Sequence, residues 1–360
     1  MNILFSTGHP AQIHNFRNLK TELEKSGHNI FWIATDKDIS RYLLNCYGIN
    51  YVLLFRPGKS ITSKIVTLIR NTFFSVRFIR KNKIDLALSR VSPYISLACF
   101  FTAKTHFALT DTETVRTYDK IFGRFASVLF TAESYKYKLR RDQIRFKGNI
   151  ELFYLHPDRF KPSGDALSLL GILPGTPYII MRFVSWEAFH DKGLTGFTNE
   201  NKQKAVKEFS KFGNVFISAE NPLPESLEPL RVKVPYEKMH DILADAKLFF
   251  GESATMASES AVLGTPAVFL NDNWFGSTDD EKEYGLLFCY KGNESDQKKA
   301  IEKGIELLAD QDLNEKMIKN RDAFLKDKID VTAFFVWFIG NWPESYKIMK
   351  KNPDYQNRFK

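Results

Sequence analysis

Short apolar runs alternate with longer amphipathic segments through the first 110 residues. The apolar runs are typical of buried strands and lie at 2–6, 29–34, 51–55, 85–89 and 106–109. The segments between them predict helices over 11–26, 38–47, 60–80 and 93–102. This alternation predicts a parallel, doubly wound sheet, and such sheets bind ligands at the carboxyl ends of their strands.

A second alternation begins near Pro177, after a stretch rich in turn residues. Its predicted strands are 178–182, 214–218, 247–250 and 286–289, with another opened by Pro266. Its predicted helices are 199–211, 236–246, 296–309 and 314–326. We therefore expect four regions: a Rossmann-like domain at 1–155, a linker at 156–176, a second Rossmann-like domain at 177–329 and a helical tail at 330–360. Within this tail, residues 334–339 are too apolar for a free helix.

Residues 249–270 predict a strand, a tight turn, a helix and a further strand. A small-residue turn before a helix leaves backbone N–H groups at the positive end of the helix dipole, which suits a phosphate. The candidates for binding a diphosphate are Gly251, Ser253, Ala254, Thr255 and Met256. Glu259, one helical turn further on, is a candidate acceptor for ribose hydroxyls. The alternative is an ordinary strand–helix–strand unit with Glu259 in solvent.

This stretch resembles the nucleotide-sugar segment of GT-B glycosyltransferases and of the hydrolysing UDP-GlcNAc 2-epimerases. The chain as a whole resembles the family called domain of unknown function 354, through residues 3–5, 8–16, 111–113, 181–193 and 249–270. The resemblance runs from about residue 1 to about residue 330. It implies an α/β, GT-B-like fold of two Rossmann-type domains that face each other across a cleft. It also implies that the tail crosses back to the first, acceptor-side domain, and that the second domain holds the nucleotide sugar.

His9 and His14 flank the turn after the first strand, where a histidine can move a proton near neutral pH. Gly8, in the same turn, is a substrate-binding candidate. The alternative is that both histidines only pack on their neighbours. No cysteine or further histidine lies nearby, so we expect no zinc site. The turn has one glycine instead of a Gly-x-Gly-x-x-Gly pattern, so we expect no dinucleotide cofactor.

Asp111 and Glu113 follow the strand that ends near Leu109. Paired carboxylates can divide the acid and base roles when their surroundings separate their pKa values. Residues 111–113 resemble part of a His-Val-Glu-Ala-Gly-Leu-Arg segment that the hydrolysing epimerases have at the corresponding position. Glu113 matches its glutamate, whereas Asp111 replaces its histidine, and this difference argues against epimerisation. The alternative is a helix N-cap.

A third group of candidates follows the first strand of the second domain: Arg182, Ser185, Trp186, His190 and Asp191. Arg182 offers a fork for a diphosphate or carboxylate, and Trp186 offers a flat face for a base or sugar. The alternative is a structural loop with an Arg–Asp pair. Asn271 is the first residue of a loop at 271–281. This loop is long, polar and contains a glycine, as loops at ligand sites often do.

The composition is that of a folded soluble protein, with a net charge of +9 and three widely spaced cysteines. The odd cysteine count favours a reducing compartment, and no apolar run is long enough to span a membrane. Residues 56–83 contain eight basic side chains, many apolar ones and no acid. Such a segment suits the surface of an anionic bilayer, or is a domain helix with one buried face and one solvated basic face. It carries no nucleic-acid motif.

We therefore expect a metal-independent glycosyltransferase that moves a sugar from a nucleotide-diphosphate donor to an acceptor hydroxyl in cell-surface polysaccharide or glycolipid synthesis. The expected partners are the donor, a glycan or lipid-linked acceptor and an anionic membrane, but not nucleic acid. The expected location is the cytoplasm, with peripheral contact at the inner face of the membrane. One alternative is a hydrolysing or epimerising enzyme on a UDP-sugar. Another is a non-catalytic scaffold of the same fold that binds a glycan or nucleotide.

Overall fold

The computed structural model describes residues 1–37, 39–56, 58, 60–185 and 196–360. These residues form two compact units. The first unit comprises Met1–Arg159 and Ile329–Lys360, and the second comprises Phe160–Lys328. Each unit contains one parallel β-sheet with helices, which confirms the predicted class of two parallel-sheet α/β domains.

The described residues contain twelve strands, and every neighbouring pair is parallel. They are β1 (Asn2–Thr7), β2 (Asn29–Thr35), β3 (Val52–Leu54), β4 (Leu86–Arg90), β5 (Thr105–Thr110), β6 (Val128–Ala132), β7 (Ile144–Phe146), β8 (Tyr178–Phe183), β9 (Asn214–Ala219), β10 (Leu248–Gly251), β11 (Ala267–Leu270) and β12 (Leu287–Tyr290). The first sheet has the order β3-β2-β1-β4-β5-β6-β7, and the second has the order β12-β11-β10-β8-β9. The strand order therefore reverses between β1 and β4 in the first unit and between β8 and β10 in the second.

The described helices are α1 (Pro10–Lys25), α2 (Ser40–Cys46), α3 (Ile61–Lys81), α4 (Pro93–Thr102), α5 (Arg116–Gly123), α6 (Leu152–Leu155), α7 (Ala166–Leu170), α8 (Asn199–Phe209), α9 (Met239–Ala244), α10 (Ala254–Leu263), α11 (Gly276–Glu283), α12 (Glu294–Ala309), α13 (Leu313–Asp327), α14 (Val331–Gly340) and α15 (Glu344–Lys351). Tighter 3-10 turns occur at Glu113–Val115, Glu228–Leu230, Tyr236–Lys238 and Pro353–Phe359. None of the helices in the described ranges has the length and hydropathy needed to cross a bilayer.

An aromatic cluster joins α14 to the sheet of the first unit. The Phe335 ring lies 4.7 Å from that of Phe130 on β6 and 4.9 Å from that of Phe153 on α6. The Phe338 ring lies 5.4 Å from that of Phe107 on β5. Thr332 Oγ1 donates a 2.7 Å hydrogen bond to the carbonyl of Phe153. Aromatic pairs of this kind add about 0.5–1.5 kcal/mol each beyond their buried area. The apolar run at 334–339 is thus part of the core of the first unit.

Two differences from the sequence prediction concern the sheet of the first unit and the loop at 271–281. Strands β6 and β7 extend the first sheet across residues to which the pattern assigned no element. The predicted polar loop at 271–281 contains α11, which begins at Gly276. Thr278 makes this helix start possible, because its Oγ1 accepts from the Phe275 N–H at 2.9 Å and donates to the Phe275 carbonyl at 2.8 Å.

Candidate functional site

The turn after β10 lies at the point where the strand order of the second sheet reverses. A Cβ at Gly251 would collide with the Arg182 carbonyl of β8, so the close approach of these two backbones requires glycine. Ser253 then caps α10, accepting from the Met256 N–H at 3.4 Å. The first helical N–H to bond is that of Ala257, which reaches the Ser253 carbonyl at 3.0 Å.

The N–H groups of Ala254 and Thr255 precede that first helical bond and have no carbonyl of α10 as acceptor. Both residues are half-buried, as are Ser253 and Met256. Two backbone donors and a hydroxyl therefore lie together at the positive end of a ten-residue helix. This arrangement can bind an anionic group such as a phosphate.

Glu252 fixes the chain on both sides of residues 186–195. Its side chain is buried, and its two carboxylate oxygens accept from the N–H of Val184 at 2.9 Å and of Phe197 at 2.6 Å. The sequence analysis gave Glu252 no role. Its position directly after a buried strand could have marked it as a candidate for a buried, hydrogen-bonded carboxylate. Trp186, His190 and Asp191, which the sequence suggested as ligand contacts, lie outside the described residues.

Arg182 reaches across to β9. Its guanidinium donates to Ser218 Oγ at 2.7 Å and to Glu220 Oε1 at 2.6 Å, and Glu220 Oε2 accepts from the Ser185 N–H at 3.1 Å. Burial disfavours the charged form of Glu220, but the Ser185 N–H and the Arg182 charge outweigh it and lower the pKa of this carboxyl. Both Nη atoms of Arg182 are thus engaged within the second unit, while its buried Nε has no hydrogen-bond partner among the described residues. A diphosphate would have to compete with the Glu220 carboxylate for the Arg182 guanidinium.

Glu259 lies on the buried side of α10. Its Oε1 is 2.9 Å from Nε2 of His240 on α9, and both side chains are buried. A ribose at this position would meet a carboxylate already oriented by a histidine. Asn271, at the end of β11, accepts from the Asn273 N–H at 2.9 Å and thereby turns the chain toward α11.

In the first unit, His9 and His14 have different surroundings. His9 is exposed and caps α1, since its Nδ1 accepts from the Ala11 N–H at 3.3 Å. A neutral imidazole that accepts at Nδ1 carries its proton on Nε2 and so acts as a donor there. His14 is buried, with Nδ1 3.1 Å from the Tyr47 hydroxyl and its ring 5.6 Å from that of Tyr154. Gly8 donates its N–H to Gln12 Oε1 at 2.7 Å.

Asp111 forms an ion pair with Arg90, the last residue of β4. Arg90 Nη1 donates to Asp111 Oδ2 at 2.8 Å, and a second contact joins Nη2 to Oδ1. Thr112 Oγ1 donates to the same carboxylate at 2.7 Å, and neither Asp111 nor Thr112 caps the 3-10 turn that follows. Glu113 is buried, and its Oε1 accepts from the Lys136 N–H at 3.3 Å.

A buried acid, Asp119 on α5, accepts from Thr110 Oγ1 at the end of β5. Burial raises the pKa of Asp119 to about 6, although the Thr110 hydrogen bond and the Arg90 charge oppose the shift. Burial in turn lowers the pKa of Arg90 to about 10, against the charges of Asp119 and Glu151. The Tyr135 hydroxyl is buried near these carboxylates without a hydrogen-bond partner among the described residues, and burial raises its pKa.

These groups assemble along one edge of the first sheet, where β1, β4 and β5 end side by side. Gly8 and His9 follow β1, Arg90 ends β4 and Asp111 follows β5. Sequence reasoning missed Arg90, Asp119 and Tyr135. Arg90 could have been found as a cation that directly follows the predicted strand at 85–89, but no local signal brings Asp119 or Tyr135 to this edge.

One group of side chains in the described residues has the spacing of metal ligands. One ligand atom each of His156, Asp158 and Asp330 lies within 4.8 Å of the others. The Asp330 carboxylate, however, is bound to Arg159 at 2.6 Å and caps α14 by accepting from the Ala333 N–H at 3.0 Å. These two contacts account for the position of the Asp330 carboxylate without a bound metal ion.

No family model matches the chain, and neither does any curated protein, so membership of the family called domain of unknown function 354 stays a prediction. Solved structures do match. The UDP-GlcNAc 2-epimerase from Neisseria meningitidis bound to UDP-GlcNAc is 13% identical, with 95% of this chain and 100% of that chain covered at a TM-score of 0.69. MurG from Acinetobacter baumannii is 15% identical, with 94% and 99% covered and a TM-score of 0.59. The spinosyn rhamnosyltransferase SpnG complexed with thymidine diphosphate is 12% identical, with 95% and 100% covered and a TM-score of 0.60. At these identities the similarity shows a shared GT-B-like fold.

Proposed function

We propose that this protein is a glycosyltransferase that transfers a sugar from a nucleotide-diphosphate donor to an acceptor hydroxyl. The observation that carries the proposal is the start of α10, which places two helix-terminal N–H groups and Ser253 where β8 and β10 diverge. Proteins of the same fold are described as bound to UDP-GlcNAc, UDP and thymidine diphosphate, which supports a nucleotide diphosphate as the ligand.

The second unit binds the donor in this proposal. The N–H groups of Ala254 and Thr255 and the Ser253 hydroxyl hold the diphosphate, and the dipole of α10 stabilises the charge that grows on it as the sugar leaves. All of these donors are protein groups, so the proposed stabilisation uses no metal. Glu259, oriented by His240, accepts hydrogen bonds from the ribose hydroxyls.

In the chemical step the acceptor oxygen attacks the anomeric carbon of the sugar. The bond from that carbon to the diphosphate oxygen breaks, the nucleoside diphosphate leaves with the electron pair, and the hydroxyl proton passes to a base. The candidates for this base are Glu113 and His14. His9 is the weaker candidate, because the hydrogen bond to its Nδ1 leaves a donor at Nε2.

A thermal-shift panel of UDP-, GDP-, CMP- and TDP-sugars tests the donor site first. A ligand at 100 times its Kd adds about 2.7 kcal/mol to stability, which raises the Tm by about 5–10 °C for a unit of this size. Calorimetry with the nucleotide that gives the largest shift then compares the wild type with Ser253→Trp. We expect the variant to lose binding, because the indole fills the space in front of the Ala254 and Thr255 N–H groups.

The matched control for this variant is Asn293→Trp. Asn293 caps α12 in the same unit, accepting from the Asp296 N–H at 3.0 Å, and its side chain is exposed. This control also replaces a helix cap by tryptophan but should bind the nucleotide normally. Unchanged binding by Ser253→Trp, with the control also unchanged, would rule out the site at α10.

A second candidate function is hydrolysis or epimerisation of a UDP-sugar. The observation in its favour is the pair of buried carboxylates beyond β5, Glu113 and Asp119, the second with a pKa raised to about 6. Several matching structures are described as UDP-GlcNAc 2-epimerases, with TM-scores of 0.64 to 0.69. Incubation of the donor alone separates the two functions. Release of sugar or a change at C2, followed by NMR, supports this second candidate, whereas an unchanged donor supports transfer.

A further inference from the structure

Over residues 61–75, helix α3 presents large apolar side chains to solvent, whereas its fully buried side chains are small and polar. Thr67, Asn71 and Ser75 are buried at successive turns. On the opposite side, Ile65, Ile69 and Phe73 are 53%, 63% and 70% exposed. Burial of apolar surface drives folding, so a helix whose outer face meets only water should show the reverse pattern.

The contacts that fix α3 in the fold lie mainly on its inward face. Asn71 accepts from the Phe55 N–H at 3.0 Å and donates to the Phe55 carbonyl at 2.9 Å, which explains a buried amide at this position. Ile79, Phe74 and Phe78 pack into the cluster that also holds Ile95, Ala98 and Cys99 of α4. The outward isoleucines and Phe73 could therefore be polar without loss of the core.

The same outward face is basic. Residues 56–83 carry eight lysines and arginines and no acid. Arg70, Arg77 and Arg80 are exposed and flank Phe73 on the helix. A surface depression of about 510 Å³ is lined by Phe73, Val76, Arg77, Arg80 and Lys81, so cations surround an apolar floor. Two further exposed aromatic side chains, Phe100 and Phe101, lie on α4, the helix against which α3 packs.

We propose that α3 docks on the surface of an anionic phospholipid bilayer. The partner must accept apolar side chains and also neutralise the basic side chains of residues 56–83, and a bilayer interface with acidic headgroups does both. Nucleic acid would match the charge but would leave Ile65 and Ile69 in water. A symmetric second copy would match the apolar groups but would bring two basic surfaces together. The proposal does not depend on the proposed reaction, because it concerns binding without any sugar donor.

The test is co-sedimentation of the full chain with vesicles of 30% phosphatidylserine and 70% phosphatidylcholine, compared with pure phosphatidylcholine. We expect binding to the anionic vesicles at 0.1 M NaCl, little binding to neutral ones and a marked loss at 0.5 M NaCl. The triple variant Arg70→Gln/Arg77→Gln/Arg80→Gln should bind about 100-fold more weakly, at about fivefold for each charge removed. The variant Ile69→Ser/Phe73→Ser should lose at least tenfold.

Matched controls lie in the second unit. Lys204→Gln/Lys207→Gln/Lys319→Gln removes three exposed charges, and Leu173→Ser removes an exposed apolar side chain. Both should bind vesicles like the wild type. All variants change exposed positions, and unchanged circular-dichroism melts verify that they fold.

Three results would overturn the proposal. The first is binding to anionic vesicles that neither variant on α3 weakens, and the second is equal binding to neutral vesicles. The third is a dimer in analytical ultracentrifugation that Ile69→Ser/Phe73→Ser dissociates, because the exposed face would then belong to a protein interface.

Discussion

Asp119 should destabilise the first unit at neutral pH, so Asp119→Asn is expected to make the protein more stable. The carboxyl is buried on α5, where it accepts from Thr110 Oγ1, and its pKa rises from 3.8 to about 6. A rise of about 2 pKa units corresponds to about 3 kcal/mol against the charged form at pH 7. Asparagine keeps an oxygen that can accept from Thr110 and carries no charge.

The sign of the pH dependence follows from proton binding. Between about pH 4 and pH 6 the folded state holds a proton on Asp119 that the unfolded state has released, so stability falls as the pH rises through this window. The variant lacks this contribution. We therefore expect a gain that is small at pH 4 and reaches up to about 3 kcal/mol at pH 7, or about 6–12 °C in Tm for a unit of this size. Loss of a carboxylate beside Arg90 makes this an upper value.

The assay is urea unfolding at several pH values from 4 to 8, for the wild type and Asp119→Asn. Asp142→Asn is the control of opposite sign, because Arg140 lowers the pKa of the partly exposed Asp142. Asp142 contributes stability above its usual pKa that is lost as the pH falls, so its variant should be slightly less stable at pH 7. A destabilised Asp119→Asn at pH 7, or an unchanged difference between pH 4 and pH 7, would refute the reasoning.

Two further predictions concern the turn at the candidate donor site. Gly251→Ala should cost about 1–3 kcal/mol in urea unfolding, because its Cβ would meet the backbone of Arg182, whereas Gly8→Ala has room and should cost little. Equal losses in the two variants would contradict this. Glu252→Gln should cost about 1.5–3 kcal/mol, because an amide can no longer accept at both of the positions where the buried carboxylate does. The exposed Glu283→Gln is its control, and a loss no larger than that of the control would exclude the proposed role of Glu252.

The periodicity of the chain predicted the fold class well, because strands buried on both faces appear as short apolar runs between amphipathic helices. All five strands of the second sheet lie where such runs occur. Strand β7 was not predicted because it has only three residues and is separated from β6 by turns instead of a long helix. Strand β6, which has five residues, was missed although it is as long as predicted strands such as β4. Helix α11 was not predicted because it is almost entirely polar and therefore has no apolar periodicity. Its start is fixed by the hydrogen bonds between Thr278 and the backbone of Phe275.

The site was harder to predict than the fold. The start of α10 could be predicted because a glycine, a serine cap and small residues follow a strand directly. The engagement of Arg182 by Glu220 could not be predicted, since the two residues lie on different strands and meet only through the pairing of β8 with β9. For the same reason Asp119 and Arg90 reveal their mutual influence only in three dimensions.

The division of the chain into units also sets an order for folding during synthesis. Residues 160–328 are contiguous and can complete their core as they emerge, whereas the first unit lacks α14 until after that stretch has been made. At 5–20 residues per second, roughly 170 residues take about 10–30 s. Throughout that interval the pockets for Phe335 and Phe338 stand empty, and the nascent sheet presents Phe107 and Phe130 to whatever binds apolar surfaces in the cell. We therefore expect a chaperone that binds nascent chains to bind mainly to the first half of this protein.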